Sequence, residues 1–571
     1  MVIEGKLVAA ARKDTASVAG DGIHTIAELM ERENRDPRRI AGVELRPMIL
    51  DQETDRILAR QGLTRATIPE AGRVVRVKGT ANFAKGGGIV DVLASVHPDN
   101  ARLAIRAAEA IGLKVAGVDF ICTDISKSWR QIGGGICEVN TTVDLHSELR
   151  PSPDGDVRDV LLQSLFAHGD DGRIPTAMVT GTTGKTSTST MLASILSSAG
   201  HVVGSATTEG VRIESELLEQ GDLASADGAS IVLRDPTVTA AVLETARGGI
   251  VKTGLYVDRC DVAALLNVQR EQIGMDGIET LDDMVALKRK ILDIARKAVV
   301  LNAEDPRCLA LAEEFKPRLR TILFSRSPDT PAIRSHAAAG GDALFLAKKD
   351  GRETIVIASG SHEVPLLATE EIPATNGGLI WFHGVNAMAA AALALGLGVG
   401  HDAIRTGLRR YGREYAAATL RMLFAEGFPM RVVFDSSGKA PAYAAAVTVT
   451  DTIKVGGKRF CVATLAGNRP DWSFVEAGAA LAGHFDRYIC IERPEYRRGR
   501  KPGEIQQLLA NALIAAGVPT EAVATTGDHK DAARVLAHEA KEQDFVVVFA
   551  ADSMTTVDDY RQAFREARAR T

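Results

Sequence analysis

Lys185 and Thr186 stand directly behind a short glycine loop, Gly181-Thr182-Thr183-Gly184, and ahead of Ser187. An apolar run, Ala177-Met178-Val179-Thr180, leads into the loop, and a helical pattern follows from Ser187 to Ser198. A glycine loop between strand and helix aims backbone N–H groups at an anion, and the helix adds its positive N-terminal end. In that setting Lys185 reaches the outer phosphates of ATP and the Thr186 hydroxyl ligates Mg2+. The spacing is two residues shorter than the usual Gly-x4-Gly-Lys-[Ser/Thr] loop. Taken alone, it also fits a strand-to-helix turn that carries an incidental lysine.

Further polar clusters fall where strands of the same region end, which is where open α/β sheets bind ligands. Glu244, in Glu244-Thr245-Ala246-Arg247-Gly248-Gly249, offers the hard carboxylate oxygen that a Mg2+ on nucleotide phosphates requires. It reads equally as an exposed helical glutamate. Lys288, in Ala286-Leu287-Lys288-Arg289-Lys290-Ile291, reads by its own pattern as a solvated helical lysine. Asn302 and Asp305, in Leu301-Asn302-Ala303-Glu304-Asp305-Pro306, either face a nucleotide base or ribose or cap the next helix.

The elements that must position these side chains alternate in type. Strands at 176–180, 261–268 and 298–301 are separated by helices at 185–199 and 281–297, the pattern of a largely parallel α/β sheet. Hairpins are expected at 343–358, around Lys349-Asp350-Gly351, and at 420–434, around Glu426-Gly427. Between them an Ala/Leu-rich helix is expected at 387–397, preceded by His383-Gly384-Val385-Asn386. A later α/β region places strands near 460–465, 488–491 and 545–550. Ahead of all this, Arg150-Pro151-Ser152-Pro153-Asp154-Gly155 has the composition of a linker. The fold class is α/β and multidomain, with segments 1–150, 151–174 as linker, 175–413 and 414–571.

Composition narrows the function classes. Among 571 residues, 73 Asp and Glu outnumber 68 Lys and Arg for a net charge of -5, which excludes a general nucleic-acid binder. The six cysteines are scattered without a C-x-x-C pair, arguing against a zinc site or a disulfide framework and for a reducing compartment. No signal-type N-terminus and no long uncharged apolar stretch occur, so no membrane partner and a cytoplasmic location are expected.

Taken together, Gly-Thr-Thr-Gly-Lys-Thr at 181–186, the Glu244 cluster, Leu-Asn-Ala-Glu-Asp-Pro at 301–306 and the segment 383–390 resemble the Mur ligase family. Glu-Thr-Ala-Arg-Gly-Gly-Ile at 244–250 and Arg-Gly-Arg-Lys-Pro-Gly-Glu at 498–504 are similar, within it, to the cyanophycin synthetases. Gly-Asp-Gly-Ile-His-Thr-Ile at 20–26, Asn-Arg-Asp-Pro-Arg-Arg at 34–39, Thr80-Ala81-Asn82 and Ile-Cys-Glu-Val-Asn at 136–140 resemble the second half of the ATP-grasp domain found there.

The resemblance implies a partial ATP-grasp α+β segment over 1–150, a Mur ligase central P-loop domain, and a C-terminal Rossmann-like domain. It implies an ATP-dependent amide ligase that activates a carboxylate of an aspartate-rich peptide and joins it to an amino acid such as arginine. Lys185, Glu244 and Lys288 are the implied catalytic residues, Lys288 at the position of a carbamylated lysine. Gly181, Thr182, Thr183, Gly184, Lys185, Thr186, Ser187, Asn302, Asp305, Arg421 and Asp435 are the implied nucleotide contacts. Thr186, Glu244 and Gln272, with Asp119, Glu138 and Asn140 in the first segment, are the implied Mg2+ positions. Arg469 falls where the family carries a Gly-Asp-Arg turn.

Three departures stand beside these matches. Gln272 replaces the family's metal-binding histidine, and Ser436-Ser437-Gly438-Lys439-Ala440-Pro441 replaces its Tyr-x-His-Asn-Pro run, with Lys439 as an electrostatic substitute. The ATP-grasp resemblance begins inside that domain, which raises a separate polypeptide carrying the other half as a partner. A homo-oligomer is expected from the family. The competing reading is a non-catalytic or partner-dependent nucleotide-binding subunit.

Overall fold

The computed structural model describes residues 1–571 except 41–44, 82, 144–156, 167–169, 414–419, 552 and 570–571. The linker composition at 150–155 and the Asn82 match lie outside the described residues. Within the expected linker 151–174 a nine-residue helix forms, Val157–Leu165. The described residues divide into two compact units, Met1–Arg173 and Ile174–Thr571.

In the first unit, four antiparallel strands pair in the order Lys6–Leu7, Val2–Ile3, Val115–Ile121, Gly135–Asn140. Helices start where local chemistry demands. Thr25 and Glu28 form a reciprocal capping box that opens Ile26–Asn34, and Asp51 with Thr54 does the same for Gln52–Arg60.

The second unit is organised by an eleven-stranded sheet among the described residues. Its strands run in the order Glu216–Gln220, Gly210–Ile213, Val203–Thr207, Ala240–Glu244, Thr176–Thr180, Cys260–Leu265, Ala295–Asn302, Arg320–Ser325, Asp342–Lys349, Arg352–Ser359 and His362–Ala368. Pairing is parallel from Val203–Thr207 to Asp342–Lys349 and antiparallel at both edges. The Thr176–Thr180 strand lies between Ala240–Glu244, reached after an outward excursion, and Cys260–Leu265, from which the chain proceeds the other way. It therefore marks a topological switch point, and its carboxyl end opens into the crevice where such sheets bind ligands.

The helix leaving that strand, Lys185–Ser198, has Thr186 through Leu196 all buried. Burial on every side follows from its neighbours, the alanine-rich Trp381–Gly396 helix and the His401–Arg410 helix. Two of its hydroxyls find backbone acceptors, Thr190 donating to Thr186 O at 2.8 Å and Ser194 to Gly407 O at 2.7 Å, while those of Thr188 and Ser189 are buried without a hydrogen-bond partner. Gly407 is where the two backbones meet, since a Cβ there would lie 2.4 Å from Ile195 Cα. Although alanine is the better helix former by about 1 kcal/mol, we expect Gly407→Ala to destabilise the protein by roughly 1–3 kcal/mol through overpacking. A lower urea midpoint at unchanged slope is the check, and an unchanged or higher midpoint refutes the close-packing account.

A six-stranded sheet completes the unit, in the order Leu423–Ala425, Arg431–Asp435, Phe545–Phe549, Arg459–Ala463, Arg487–Cys490, Val523–Thr525, parallel apart from the first pair. Both expected hairpins form, Asp342–Lys349 with Arg352–Ser359 and Leu423–Ala425 with Arg431–Asp435. Two expected boundaries are corrected. The helix read over 281–297 ends at Asp293, because Ala295 already pairs with Cys260 and the strand claims 295–297. The helix read over 387–397 begins at Trp381, so His383 and Asn386 lie inside it. Among the described residues no helix is long and apolar enough to cross a membrane.

Candidate functional site

The glycine loop sits at the carboxyl end of the Thr176–Thr180 strand, as its pattern predicts. Its first two free amides are held from the neighbouring strand end. Asn267 Oδ1 accepts from Thr182 N at 3.0 Å and from Thr183 N at 2.9 Å, while its Nδ2 donates to Thr183 O at 3.2 Å. Gly184 turns the chain into the helix at φ +83°, and a side chain there would collide with Asn386 Oδ1, 2.5 Å from an added Cβ. The first helical hydrogen bond runs from Thr188 N to Gly184 O. The amides of Gly184, Lys185, Thr186 and Ser187 therefore precede the helical ladder, the arrangement that receives an anion.

Behind this cradle Lys185 and Glu244 form a buried pair, Nζ to Oε1 at 4.0 Å. Glu244 is the last residue of the Ala240–Glu244 strand and its side chain is fully buried, which settles the strand-end alternative over the exposed helical one. Burial holds the Glu244 carboxyl above the usual carboxylate range and Lys185 below the usual ammonium range, each against the pull of the other. Glu244 Oε2 accepts from Thr208 N at 3.2 Å, and the Thr208 hydroxyl meets that of Thr186 at 2.9 Å. Glu244 Oε1 has no hydrogen-bond partner. An orphaned anionic oxygen beside the Thr186 hydroxyl is a pair of hard donors that a dication completes. No cluster of three or more His, Cys, Asp or Glu occurs among the described residues, so a cation here rests on mixed oxygen ligands.

Arg421 arrives from the segment ahead of the six-stranded sheet. Its Nη2 donates to Thr186 Oγ1 at 3.3 Å and its Nε pairs with Glu209 Oε1 at 3.3 Å. Asp435 holds it there indirectly, accepting from Met422 N at 3.0 Å and from Ser437 N at 2.7 Å. Asn302 and Asp305 likewise brace the loop at one remove. Asn302 Nδ2 donates to Leu266 O at 3.0 Å and Asp305 Oδ2 accepts from Val268 N at 2.7 Å, flanking Asn267. Asp305 also caps the Pro306–Phe315 helix, so the capping alternative holds for it.

Lys288 is buried, and its Nζ donates to Gly181 O at 3.1 Å. Desolvation and the nearby Lys185, Lys439 and Arg247 hold it well below the usual lysine range. Gln272 adopts φ +60° in the wall of the same cavity. With its amide oxygen turned to Arg469, it accepts from Nη1 at 2.5 Å and Nη2 at 3.2 Å. Arg469 also pairs with buried Glu271 at 3.2 Å. The cavity measures about 630 Å3, within the range of small-ligand sites, and extends from Gly181 and Lys185 past Lys288 and Lys439 to Arg247 and Asp276.

Thr208, Glu209 and Asn386 take part without a local signal. The first two follow the Val203–Thr207 strand, and locating that strand would have marked them as crevice residues. In the first unit, the register sets Glu138 opposite Asp119 and Asn140 opposite Gly117, two positions along the same strand. The three implied metal positions thus share one face of a hairpin, where Lys13 lies 3.7 Å from Asp119.

Residues 179–394 match the Mur ligase middle domain. Cyanophycin synthetase from Synechocystis sp. is 35% identical over 557 residues, covering 96% of this chain and 62% of that protein. The cyanophycin synthetase of Trichormus variabilis is 36% identical over 525 residues, covering 91% of this chain and 57% of that protein. The chain thus spans about three fifths of the length of these curated relatives. Among solved structures, Escherichia coli FolC in complex with DHPP and ADP aligns at 17% identity with a TM-score of 0.49, covering 70% of this chain and 90% of that one. The chain is thus similar to cyanophycin synthetases over 96% of its length, and its residues 179–394 match the Mur ligase middle domain.

Proposed function

We propose that the chain is an ATP-dependent amide ligase in which the Lys185 site activates a carboxylate of an aspartate-rich peptide and joins it to an amino acid such as arginine. The observation that carries this reading is the convergence on one loop of a buried Lys185–Glu244 pair, the Thr186 hydroxyl and four amides ahead of the helical ladder. Such a site binds a triphosphate end-on and holds charge that develops on a transferred phosphoryl group.

The residues divide the work. The amides of Gly184 to Ser187 hold the phosphates in line, and Lys185 neutralises charge between the transferred group and its leaving oxygen. Thr186 and Glu244 would hold Mg2+, which supplies Lewis-acid charge on the phosphate oxygens. Arg421, anchored by Glu209 and Asp435, orients the Thr186 hydroxyl and adds a cation from the second lobe. Lys288 as its carbamate would present a carboxylate-like group at Gly181. The acceptor carboxylate then attacks the terminal phosphorus, ADP leaves, and an incoming amine displaces phosphate to form the amide. Arg498, at the cavity edge, presents a cation that suits an acidic acceptor. Asp119, Glu138 and Asn140, a reducing cytoplasmic setting, a homo-oligomer and a second polypeptide bearing an ATP-grasp half belong to the same reading. The motifs at 20–26, 34–39 and 136–140 support the ATP-grasp part of this reading, and the scattered cysteines its reducing setting.

The test is phosphate release from Mg-ATP with a poly-aspartate primer and a pool of amino acids, with mass spectrometry of the primer. Primer-dependent turnover that adds one amino-acid mass is expected. ATP binding without turnover on any acidic acceptor would overturn the ligase reading in favour of a nucleotide-binding subunit.

A further inference from the structure

Lys439 opens the Ala440–Thr450 helix of the second lobe, yet its side chain reaches the glycine loop, where Nζ donates to Thr182 O at 2.6 Å. Lys185 Nζ approaches the same carbonyl at 3.5 Å, and Lys288 donates to the adjoining Gly181 O at 3.1 Å. Three lysine side chains from three separate helices thus meet on two consecutive loop carbonyls. The charged groups facing Lys439 are Lys185, Lys288, Arg421, Arg469 and Glu271. The one carboxylate among them is already paired with Arg469. Among the described residues no carboxylate lies within ion-pair distance of Lys439 itself. A backbone carbonyl is a poor partner for a desolvated lysine, and Lys439, unlike Lys185 beside Glu244 or Arg421 beside Glu209, has no carboxylate of its own, so an anion at the loop would complete it.

We infer that Lys439 is a catalytic residue of the proposed ligase, a second lysine that contacts the terminal phosphoryl group of ATP from the C-terminal lobe. The inference rests on the ligase reading and deepens it. Position argues for the terminal phosphate: Lys439 converges with Lys185 on one oxygen, and the loop lysine serves the outer phosphates. Chemistry argues for a charge-assisted contact, because an ammonium already desolvated beside the loop exchanges a carbonyl for a phosphate oxygen without further burial. Crowding by neighbouring cations and desolvation push free Lys439 down to about 7, so a bound anion draws a proton onto it at alkaline pH. The side chain also ties the second lobe to the loop, so binding of the terminal phosphate and apposition of the two sheets are one event.

Calorimetric titration of ATP and ADP, each with Mg2+, into wild type, Lys439→Met, Lys439→Arg and Lys185→Met separates the alternatives. For Lys439→Met we expect ATP affinity to fall about 10- to 100-fold, with ADP changed by less than about 3-fold and proton uptake on ATP binding at pH 8 reduced. Lys439→Arg should recover most of the ATP preference. Unchanged ATP affinity in Lys439→Met, or equal losses for ATP and ADP, overturns the assignment while Lys185→Met still tests the loop. A wild type that binds neither nucleotide overturns the ligase reading together with it. If the methionine variant does not fold, the arginine variant carries the test, and loss of the ATP over ADP preference despite the retained charge refutes a simple phosphate contact.

Discussion

Lys185→Met should abolish measurable turnover, a fall of about 10³-fold or more, and weaken Mg-ATP binding while leaving the fold intact. The expectation follows from where the lysine sits. Its ammonium is desolvated beside Glu244 at 4.0 Å and above the Thr182 carbonyl. Methionine has nearly the same length and no charge, so the cavity stays filled while the interaction with phosphate is lost. The Glu244 partner is left behind, buried beside an apolar group, and its carboxyl rises further above the ordinary range. The variant should therefore keep the Glu244 proton to higher pH than the wild type does, which also weakens cation binding at Thr186. Phosphate release and nucleotide calorimetry on the same preparation check both effects. Retention of ATP affinity within about 3-fold, set against the 1.5–3 kcal/mol of a charged hydrogen bond, would show that the loop is not where the triphosphate binds.

The glycine loop was legible because its information is local. Two glycines, a lysine and a threonine follow one another in sequence, and the strand and helix that position them adjoin. Glu244 was ambiguous for a physical reason: Ala240-Ala241-Val242-Leu243 is a short apolar run that fits a buried strand and a buried helix alike. Its burial became fixed only by parallel pairing to Thr176–Thr180. Lys288 carried a signal that its charge obscured. Met284, Leu287, Lys288 and Ile291 share the helical face that turns inward, so its position in the period predicted burial even though its residue type did not. Asn267, Thr208 and Lys439 reach the loop across long stretches of chain, and nothing near them in sequence states which carbonyl or amide they meet. The first residues of the Ala295–Asn302 strand, Ala295-Arg296-Lys297, continue the preceding helix in composition and leave it only through pairing with Cys260.

The same reasoning distinguishes residues that touch the ligand from residues that hold the site open. Asn302 and Asp305 spend their polar atoms on Leu266 and Val268, and Asp435 spends its own on Met422 and Ser437. Each therefore acts on the loop through one intervening backbone segment. Lys185 and Glu244 differ in facing each other directly, with Glu244 Oε1 left without a hydrogen-bond partner beside Thr186.

Glu244→Gln should lower Mg2+-dependent turnover by roughly 10²-fold or more while leaving the protein as stable or more stable at neutral pH. The two effects have one origin. Glu244 Oε1 is buried without a hydrogen-bond donor and 4.0 Å from the Lys185 ammonium, so its charge is met only in part until a metal cation is present, and burial raises its pKa in the absence of one. A raised folded pKa means that the native state keeps the proton to higher pH than the unfolded chain does. Stability then declines as pH rises from the ordinary glutamate value through the folded one, and glutamine, being neutral throughout, escapes that decline. The amide retains the shape and still accepts from Thr208 N, so the second contact of the side chain survives. Activity should respond in the opposite sense. In the wild type, protons compete with Mg2+ for the carboxylate, giving an acid limb at low metal concentration, and the glutamine variant should lack that limb while requiring more metal at every pH. Denaturation midpoints and metal titrations across pH measure both. A variant that loses stability but keeps its metal dependence would place Glu244 in the framework of the site and not in its cation chemistry.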